Sequence, residues 1–334
     1  MDPLEERIRA YDAVAGMARD AMALMAVFEV GAFSALLDGP ATAAELGAAC
    51  GVSGHRLGAF LDRVAAHGFL VKSGSRYALV DGDAALFDPN AGRTRSLGFA
   101  SVEALFTRLS RGVEVLRSDV SLTVAGTGGE APPEERARFL RYLHDRSQDG
   151  AAEVAERLSG EPVHRVVDLG SGIGTYAAAL LARNPTATAT LMDRANAREI
   201  VEEFLRDSGL DGRARFVGGD FLTDDFGDGH DLAVVSNIVH NVGEEVTRAL
   251  LARLHNRLAP GGRVALKDLC IDDDRLAPDS AGRFAVTMAL FTPRGGVFPA
   301  REVAGWLTDA GFDLVSSEEL EVAAGSWLLV GRRP

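Results

Sequence analysis

Residues 163–193 read VHRVVDLGSGIGTYAAALLARNPTATATLMD, and the order strand, glycine turn, helix, strand is written in them. Val163, Val166, Val167 and Leu169 make the short apolar run of a strand buried on both faces of a parallel sheet, and 176–183 then switches to helical periodicity. Between them stand Gly170, Gly172 and Gly174. Glycine at these places lets the backbone turn sharply and approach a ligand closely, while the free N–H groups of the helix start face that ligand. A second strand, 187–192, ends at Asp193.

Two nucleotide-type readings compete for this turn, and spacing separates them. A dinucleotide fingerprint asks for another glycine three residues after Gly172, with a pyrophosphate on the helix N-terminus. That position is Thr175. Asp168, two residues before Gly170, would repel a pyrophosphate and would accept hydrogen bonds from an ammonium group. Asp193, nineteen residues after Gly174, stands where a carboxylate takes ribose hydroxyls. An amino-acid ammonium joined to a ribose describes S-adenosylmethionine, with S-adenosylhomocysteine as its demethylated product. The constellation resembles the first two motifs of class I S-adenosylmethionine-dependent methyltransferases, and the resemblance makes Asp168, Gly170, Gly172, Gly174 and Asp193 cofactor-binding residues.

Composition bounds the rest. A chain of 334 residues with 47% hydrophobic content buries a sizeable core and suits two domains. No uncharged run of about 18 apolar residues occurs, so no membrane span is expected. The acidic, polar start MDPLEERIRAYD is unlike a signal peptide, and Cys50 and Cys270 form neither a disulfide framework nor a metal cluster. A cytoplasmic protein without a metal is the expectation. The net charge of −13 argues against nucleic acid as a partner, because phosphate-backbone affinity rests on Lys and Arg.

From the N-terminus, 4–37 is helical and dense in apolar residues, with Met17, Met22, Leu24, Met25, Val27 and Phe28 crowded together. That is more apolar surface than one face needs, which points to a dimer interface. Two short helices, 42–50 and 53–68, and a hairpin over 69–79 around Ser73-Gly74-Ser75 then spell a winged helix. A winged helix invites a DNA-binding reading. Yet residues 1–100 hold nine Lys plus Arg against twelve Asp plus Glu, and the second helix offers only Arg56 and Arg63 beside Asp62. No basic face emerges.

A winged helix ahead of a methyltransferase domain resembles the plant-type small-molecule O-methyltransferases and their bacterial natural-product relatives, over nearly the whole chain. The resemblance implies an α/β fold: a mostly parallel seven-stranded Rossmann-like sheet with an antiparallel terminal strand, plus the mainly helical N-terminal domain. The expected division is 1–95 for the dimerisation domain, 96–149 for a helical connector and cavity roof, and 150–334 for the methyltransferase domain. The helical stretch 97–116 supplies the roof in these relatives, with Phe99, Phe106 and Leu109 as candidate lining or domain-junction residues. Residues 124–134 have the glycine, proline and acid content of a solvated loop. The helix 135–158 follows, and the resemblance makes His144 a candidate substrate contact, the alternative being a packed or surface histidine.

Beyond the glycine turn, 195–208 reads as a helix and 214–217 as a third strand ending in Gly218-Gly219-Asp220-Phe221. This resembles the family's Gly-Asp-apolar motif, in which Asp220 would accept the adenine amino group and Phe221 would lie against the adenine ring. A fourth strand, 231–236, runs into Asn237-Ile238-Val239-His240-Asn241. His240 matches the general-base histidine of the plant-type motif, Asn237 falls at a substrate-binding position, and Ser236 stands where the plant enzymes carry a cofactor-contacting Lys. Asn241 and Glu244 fit a capping pattern for the apolar-periodic run at Val246, Leu250, Leu251 and Leu254. Gly261-Gly262 turns into a fifth strand, 263–269, where Asp268 replaces a family glutamate that orients the histidine. The second supporting glutamate falls at Phe298, a departure that leaves open whether base catalysis or positioning dominates.

Met288, Phe291 and Thr292 match substrate-cavity positions, with a core role for Met288 as the alternative. A helix over 302–310 and the strands 312–319 and 322–330, turning at Gly325, close the chain. The function these residues imply is O-methylation of a hydroxyl, phenolic in the first instance, on an aromatic small molecule of specialised metabolism, by a homodimer. Carbon or nitrogen methylation, or a repurposed relative holding S-adenosylmethionine structurally, keeps the same fold. A ligand-responsive winged-helix regulator is the reading of another class.

Overall fold

The strand expected around Val166 is present as β4 (Arg165–Leu169) in a computed structural model that describes residues 3–87, 111–122, 131–323 and 325–334. Phe99, Phe106 and Leu109, with most of the expected roof helix and the centre of the loop 124–134, lie outside the described residues. The chain divides into two compact units, 1–110 and 111–334.

In the first unit a helix, Pro3–Glu29, ends at Gly31, whose φ of 80° lies in the left-handed region that stops a helix. The expected continuous helix over 4–37 is therefore broken into this one, the short Ala32–Ala35 and a final single turn. After β1 (Ala41–Thr42), the helix Ala43–Ala49 opens on a capping box in which Thr42 and Glu45 satisfy each other's backbone N–H groups. The helix Gly54–Ala66 is capped by Ser53. The hairpin β2 (Val71–Ser73) and β3 (Arg76–Ala78) takes β1 as a third strand in the order β1-β3-β2, which completes a winged helix. Val27, Phe33, Leu46, Leu61, Val64 and Tyr77 fill its core.

Phe28, grouped in sequence with the interface residues, packs inward, its ring 6.4 Å from those of both Phe33 and Phe87. Met17 and Met22 are exposed. Arg63 and Lys72 bind the carboxylates of Asp20 and Asp62, so two of the winged helix's cations are already neutralised.

The second unit is built on β4, β5 (Thr188–Asp193), β6 (Ala214–Gly218), β7 (His230–Ser236), β8 (Leu258–Leu269), β9 (Asp313–Glu319) and β10 (Ser326–Arg332). Their order is β6-β5-β4-β7-β8-β10-β9. The first five run parallel and β10 lies antiparallel to both β8 and β9. Two apolar layers cover the sheet. Ala151, Val154, Leu180, Val201 and Leu232 belong to one, and Leu169, Val235, Leu251, Trp306 and Trp327 to the other.

Two boundaries differ from expectation. β8 begins at Leu258, so Gly261-Gly262 lies within the strand rather than before it. β10 starts at Ser326, because Glu321, Val322 and Ala323 donate their backbone N–H groups to the buried Glu153 carboxylate instead of to a ladder.

Candidate active site

The chain order of the parallel strands reverses at β4, with β5 on one side and β7 on the other. In open α/β sheets the crevice at the carboxyl ends of such strands is where ligands sit. Gly170, Gly172 and Gly174 follow β4 there with φ of 67°, 58° and 102°. A Cβ at Gly170 would stand 2.2 Å from the Ile238 side chain, so glycine is required by both conformation and space.

Asp168 is 1% exposed and accepts one hydrogen bond, from the Ala177 N–H at 3.2 Å. Burial pushes its pKa up to about 7, the neighbouring Asp193 adding to the rise. A carboxyl kept so dry gains from a cationic partner. Asp193, at the end of β5, is anchored toward the glycine turn: Gly172 N–H donates at 2.8 Å and Arg194 N–H at 2.7 Å. The buried Arg136, from the helix Pro133–Arg157, pairs with the same carboxylate. Sequence spacing gives no sign of Arg136, because it comes from the first turn of the preceding helix, 29 residues before Arg165.

Asp220 lies just past β6, exposed, and its carboxylate accepts the Leu222 N–H at 2.8 Å, closing its own turn. Phe221 is half-buried against the Leu169 layer. Ser236 ends β7, buried, and Asn237 follows with a φ of 58° that is rare outside glycine. The Asn237 side-chain oxygen accepts from Lys267 Nζ at 2.9 Å. Lys267 is opposite Ser236 in the β7–β8 register, so this site has a buried lysine one strand over from the position where the resemblance expected one. Burial lowers its pKa.

His240 and Asp268 meet. His240 Nδ1 lies 2.6 Å from Asp268 Oδ1, and the His240 backbone N–H donates to Asp268 Oδ2 at 3.0 Å. Burial alone would raise the Asp268 pKa, but His240 and the Leu269 N–H hold it below the ordinary carboxylate value. With Nδ1–H given to Asp268, the acceptor lone pair of the ring is on Nε2. Asn241 reaches that lone pair: its Nδ2 is 2.9 Å from Nε2 and 3.0 Å from the Asn237 carbonyl oxygen, which fixes the amide's orientation. The capping role read for Asn241 and Glu244 is thus corrected. The helix Val239–Arg257 is kinked at Gly243, and Glu244 pairs with Arg248 instead.

Phe284, from the helix Asp279–Phe291, meets the imidazole edge-on with centroids 5.1 Å apart. It was not singled out in the sequence. Phe298 packs on Trp306 beneath the Arg275 guanidinium, so no carboxylate occupies the expected second place. Met288 is buried, and Thr292 closes its helix by bonding the Met288 carbonyl at 2.6 Å. Phe291 packs with Val115, Leu122 and Leu290. His144 has Nδ1 2.9 Å from the Thr175 hydroxyl and its ring edge-on to Phe204.

Residues 107–313 match the model of the O-methyltransferase domain family. The chain belongs to this family. It is an S-adenosylmethionine-dependent methyltransferase, and the dry Asp168, the glycine turn and the anchored Asp193 carboxylate fit that cofactor's ammonium and ribose. The tetracenomycin polyketide synthesis 8-O-methyl transferase of Streptomyces glaucescens is 30% identical over 324 residues, covering 93% of each chain. An N,N-dimethyltransferase of Streptomyces rimosus is 27% identical over 94% of this chain and 93% of its own. Among solved structures, human N-acetylserotonin methyltransferase in complex with S-adenosylmethionine superposes with a TM-score of 0.78 at 19% identity, covering 100% of this chain and 98% of its own.

Proposed function

We propose that this methyltransferase acts on a hydroxyl, phenolic in the first instance, of an aromatic small molecule of specialised metabolism, with His240 as general base. The observation that carries the reading is the 2.6 Å contact between His240 Nδ1 and Asp268. When bound, S-adenosylmethionine supplies a methyl group on a sulfonium. His240 receives the acceptor's proton at Nε2, and Asp268 holds the tautomer that leaves Nε2 basic and stabilises the imidazolium that forms. Asn241 must give way first, since its amide fills the Nε2 position. The Streptomyces glaucescens relative, named for an 8-O-methyl transfer in polyketide synthesis, supports the substrate class.

His240→Ala is expected to lower turnover about 10²-fold or more, with the loss shrinking at high pH, where the acceptor ionises unaided. S-adenosylmethionine affinity should stay nearly intact. A loss below tenfold at every pH overturns the general-base role in favour of catalysis by positioning. That second reading, with nitrogen or carbon as acceptor, is favoured by Asn241 on Nε2, by Phe298 in place of a carboxylate and by the N,N-dimethyltransferase relative. The exposed apolar residues of Pro3–Glu29 support a homodimer as the working assembly.

A further inference from the structure

A cavity of about 340 Å³ opens at the amino ends of the parallel strands, the edge of the sheet opposite Asp168 and Asn237. Arg165 begins β4, Thr188 begins β5, Arg213 and Arg215 flank the start of β6, and His230 begins β7; all five line it. Three arginines therefore line it beside a single acid, Asp211, in a chain whose net charge is −13.

Two of those cations are held without being neutralised. Arg165 donates to the Asp228 backbone oxygen at 3.0 Å, and Arg213 donates to the carbonyls of Leu181, Asn184 and Pro185 at 3.0 to 3.2 Å. Carbonyl oxygens orient a guanidinium while leaving its charge in place. Arg215 makes no hydrogen bond or ion pair among the described residues. Of the nearby acids, the Asp228 carboxylate pairs with Arg257, while Asp231, held by the His164 and Arg165 backbone N–H groups, keeps its charge and offsets one arginine in part.

His230 adds a second, independent sign. It is 3% exposed, its Nε2 bonds the Phe226 carbonyl at 3.2 Å, and its buried Nδ1 has no partner among the described residues. A buried imidazole beside these arginines is a group whose protonation responds to an anion placed there.

We propose that this cavity is a binding site for a doubly charged oxyanion, a phosphate or a phosphomonoester, held by Arg165, Arg213 and Arg215 with the His230 imidazole at its wall. At about 30 Å³ per water the space holds roughly ten waters, which leaves room for a phosphate together with a small organic body. The His230 ring stands at the cavity wall, so an anion there favours the imidazolium through charge rather than through a bond from the buried Nδ1. In the free protein burial lowers the His230 pKa, the bond to the Phe226 carbonyl and the Asp231 charge opposing it and Arg165 and Arg215 adding to it. A bound dianion offsets the two arginines, so binding takes up a proton and tightens as pH falls.

The test is calorimetry on the full chain with sodium sulfate, whose charge is constant between pH 6 and 7.5, against sodium chloride at matched ionic strength. Saturable sulfate binding, at least about threefold tighter at pH 6 than at pH 7.5, is expected. Arg215→Ala, an exposed change that should leave the melting temperature near wild type, should weaken sulfate about tenfold or more. His230→Gln keeps a donor for the Phe226 carbonyl and should bind sulfate without the pH dependence. Parallel titrations with inorganic phosphate and ribose 5-phosphate separate a free anion from an esterified one, by which of the two binds tighter. No sulfate heat beyond that of chloride, or unchanged affinity in Arg215→Ala, overturns the proposal; pH dependence retained in His230→Gln removes His230 from the site.

Discussion

Asp168 is the residue whose protonation should be felt most directly in cofactor binding. Its carboxyl, raised to about 7 in the free protein chiefly by burial, is largely neutral at pH 6 and largely ionised at pH 8. For stability the sign is unfavourable: the unfolded group ionises near 3.8, so the folded free protein loses stability as pH rises from there and stops losing it above about 7. A ligand ammonium restores the charged form, so binding expels a proton. Affinity for S-adenosylmethionine is then expected to be about tenfold weaker at pH 6 than at pH 8, and Asp168→Asn should bind weakly with a flat profile. Calorimetry at three pH values decides; a flat wild-type profile removes Asp168 as the ammonium partner. Asp168, Asp193, His240 and Asp268 were legible because each sits at a fixed offset from a strand end. Arg136 and Phe284 were not, since they reach the site from helices that no local spacing ties to it, and Lys267, next to Asp268 on β8, shows its place only through the register that sets it opposite Ser236. Asn241 was misread for the reverse reason: Asn-x-x-Glu is a good local cap, but Gly243 breaks the helix just where the cap would act.

At the scale of elements, what holds His240 in place is the loop after the helix Asp279–Phe291. The Gly296 N–H donates to the His240 carbonyl at 2.9 Å, and Gly295 passes so close that a Cβ there would stand 2.3 Å from the same oxygen. On the other side Gly243, with φ 76° and ψ −174°, brings the helix backbone against Arg294; a Cβ would fall 2.1 Å from the Arg294 carbonyl oxygen. The sequence showed strands and helices through their periods of 2 and 3.6, and it placed every strand of the main sheet within a few residues. A glycine chosen for the approach of two backbones has no period, so this contact was invisible. Gly243→Ala is expected to push the 293–296 loop away from His240, lowering the melting temperature in keeping with about 1–3 kcal/mol of backbone strain. Turnover should fall while S-adenosylmethionine affinity changes little, because the glycine turn after β4 is untouched. Unchanged melting temperature and turnover would show that the loop is not what positions His240.

For the whole molecule, the exposed face of Pro3–Glu29 argues for assembly. Leu4, Ile8, Tyr11, Val14 and Met17 are 64%, 51%, 70%, 60% and 59% exposed, and their spacing of three or four residues puts them on one side of the helix. Monomeric soluble proteins seldom leave a continuous apolar stripe of this kind in water. Of the apolar residues crowded from Met17 to Phe28, Met17 and Met22 are exposed. Val27 and Phe28 close the winged-helix core, and the outward stripe begins earlier, where its residues are spaced rather than clustered. A charge at Phe28 would therefore unfold the first unit and test nothing about assembly. Ile8→Glu with Tyr11→Asp is the informative pair, since both side chains are exposed and neither belongs to the described core. The wild type is expected to be a dimer by light scattering at micromolar concentration, and the double variant a monomer with nearly the same melting curve for the methyltransferase unit, because an unpaired charge in an apolar interface is costly. If the wild type elutes as a monomer across that range, or the variant stays dimeric, the stripe is not the contact surface.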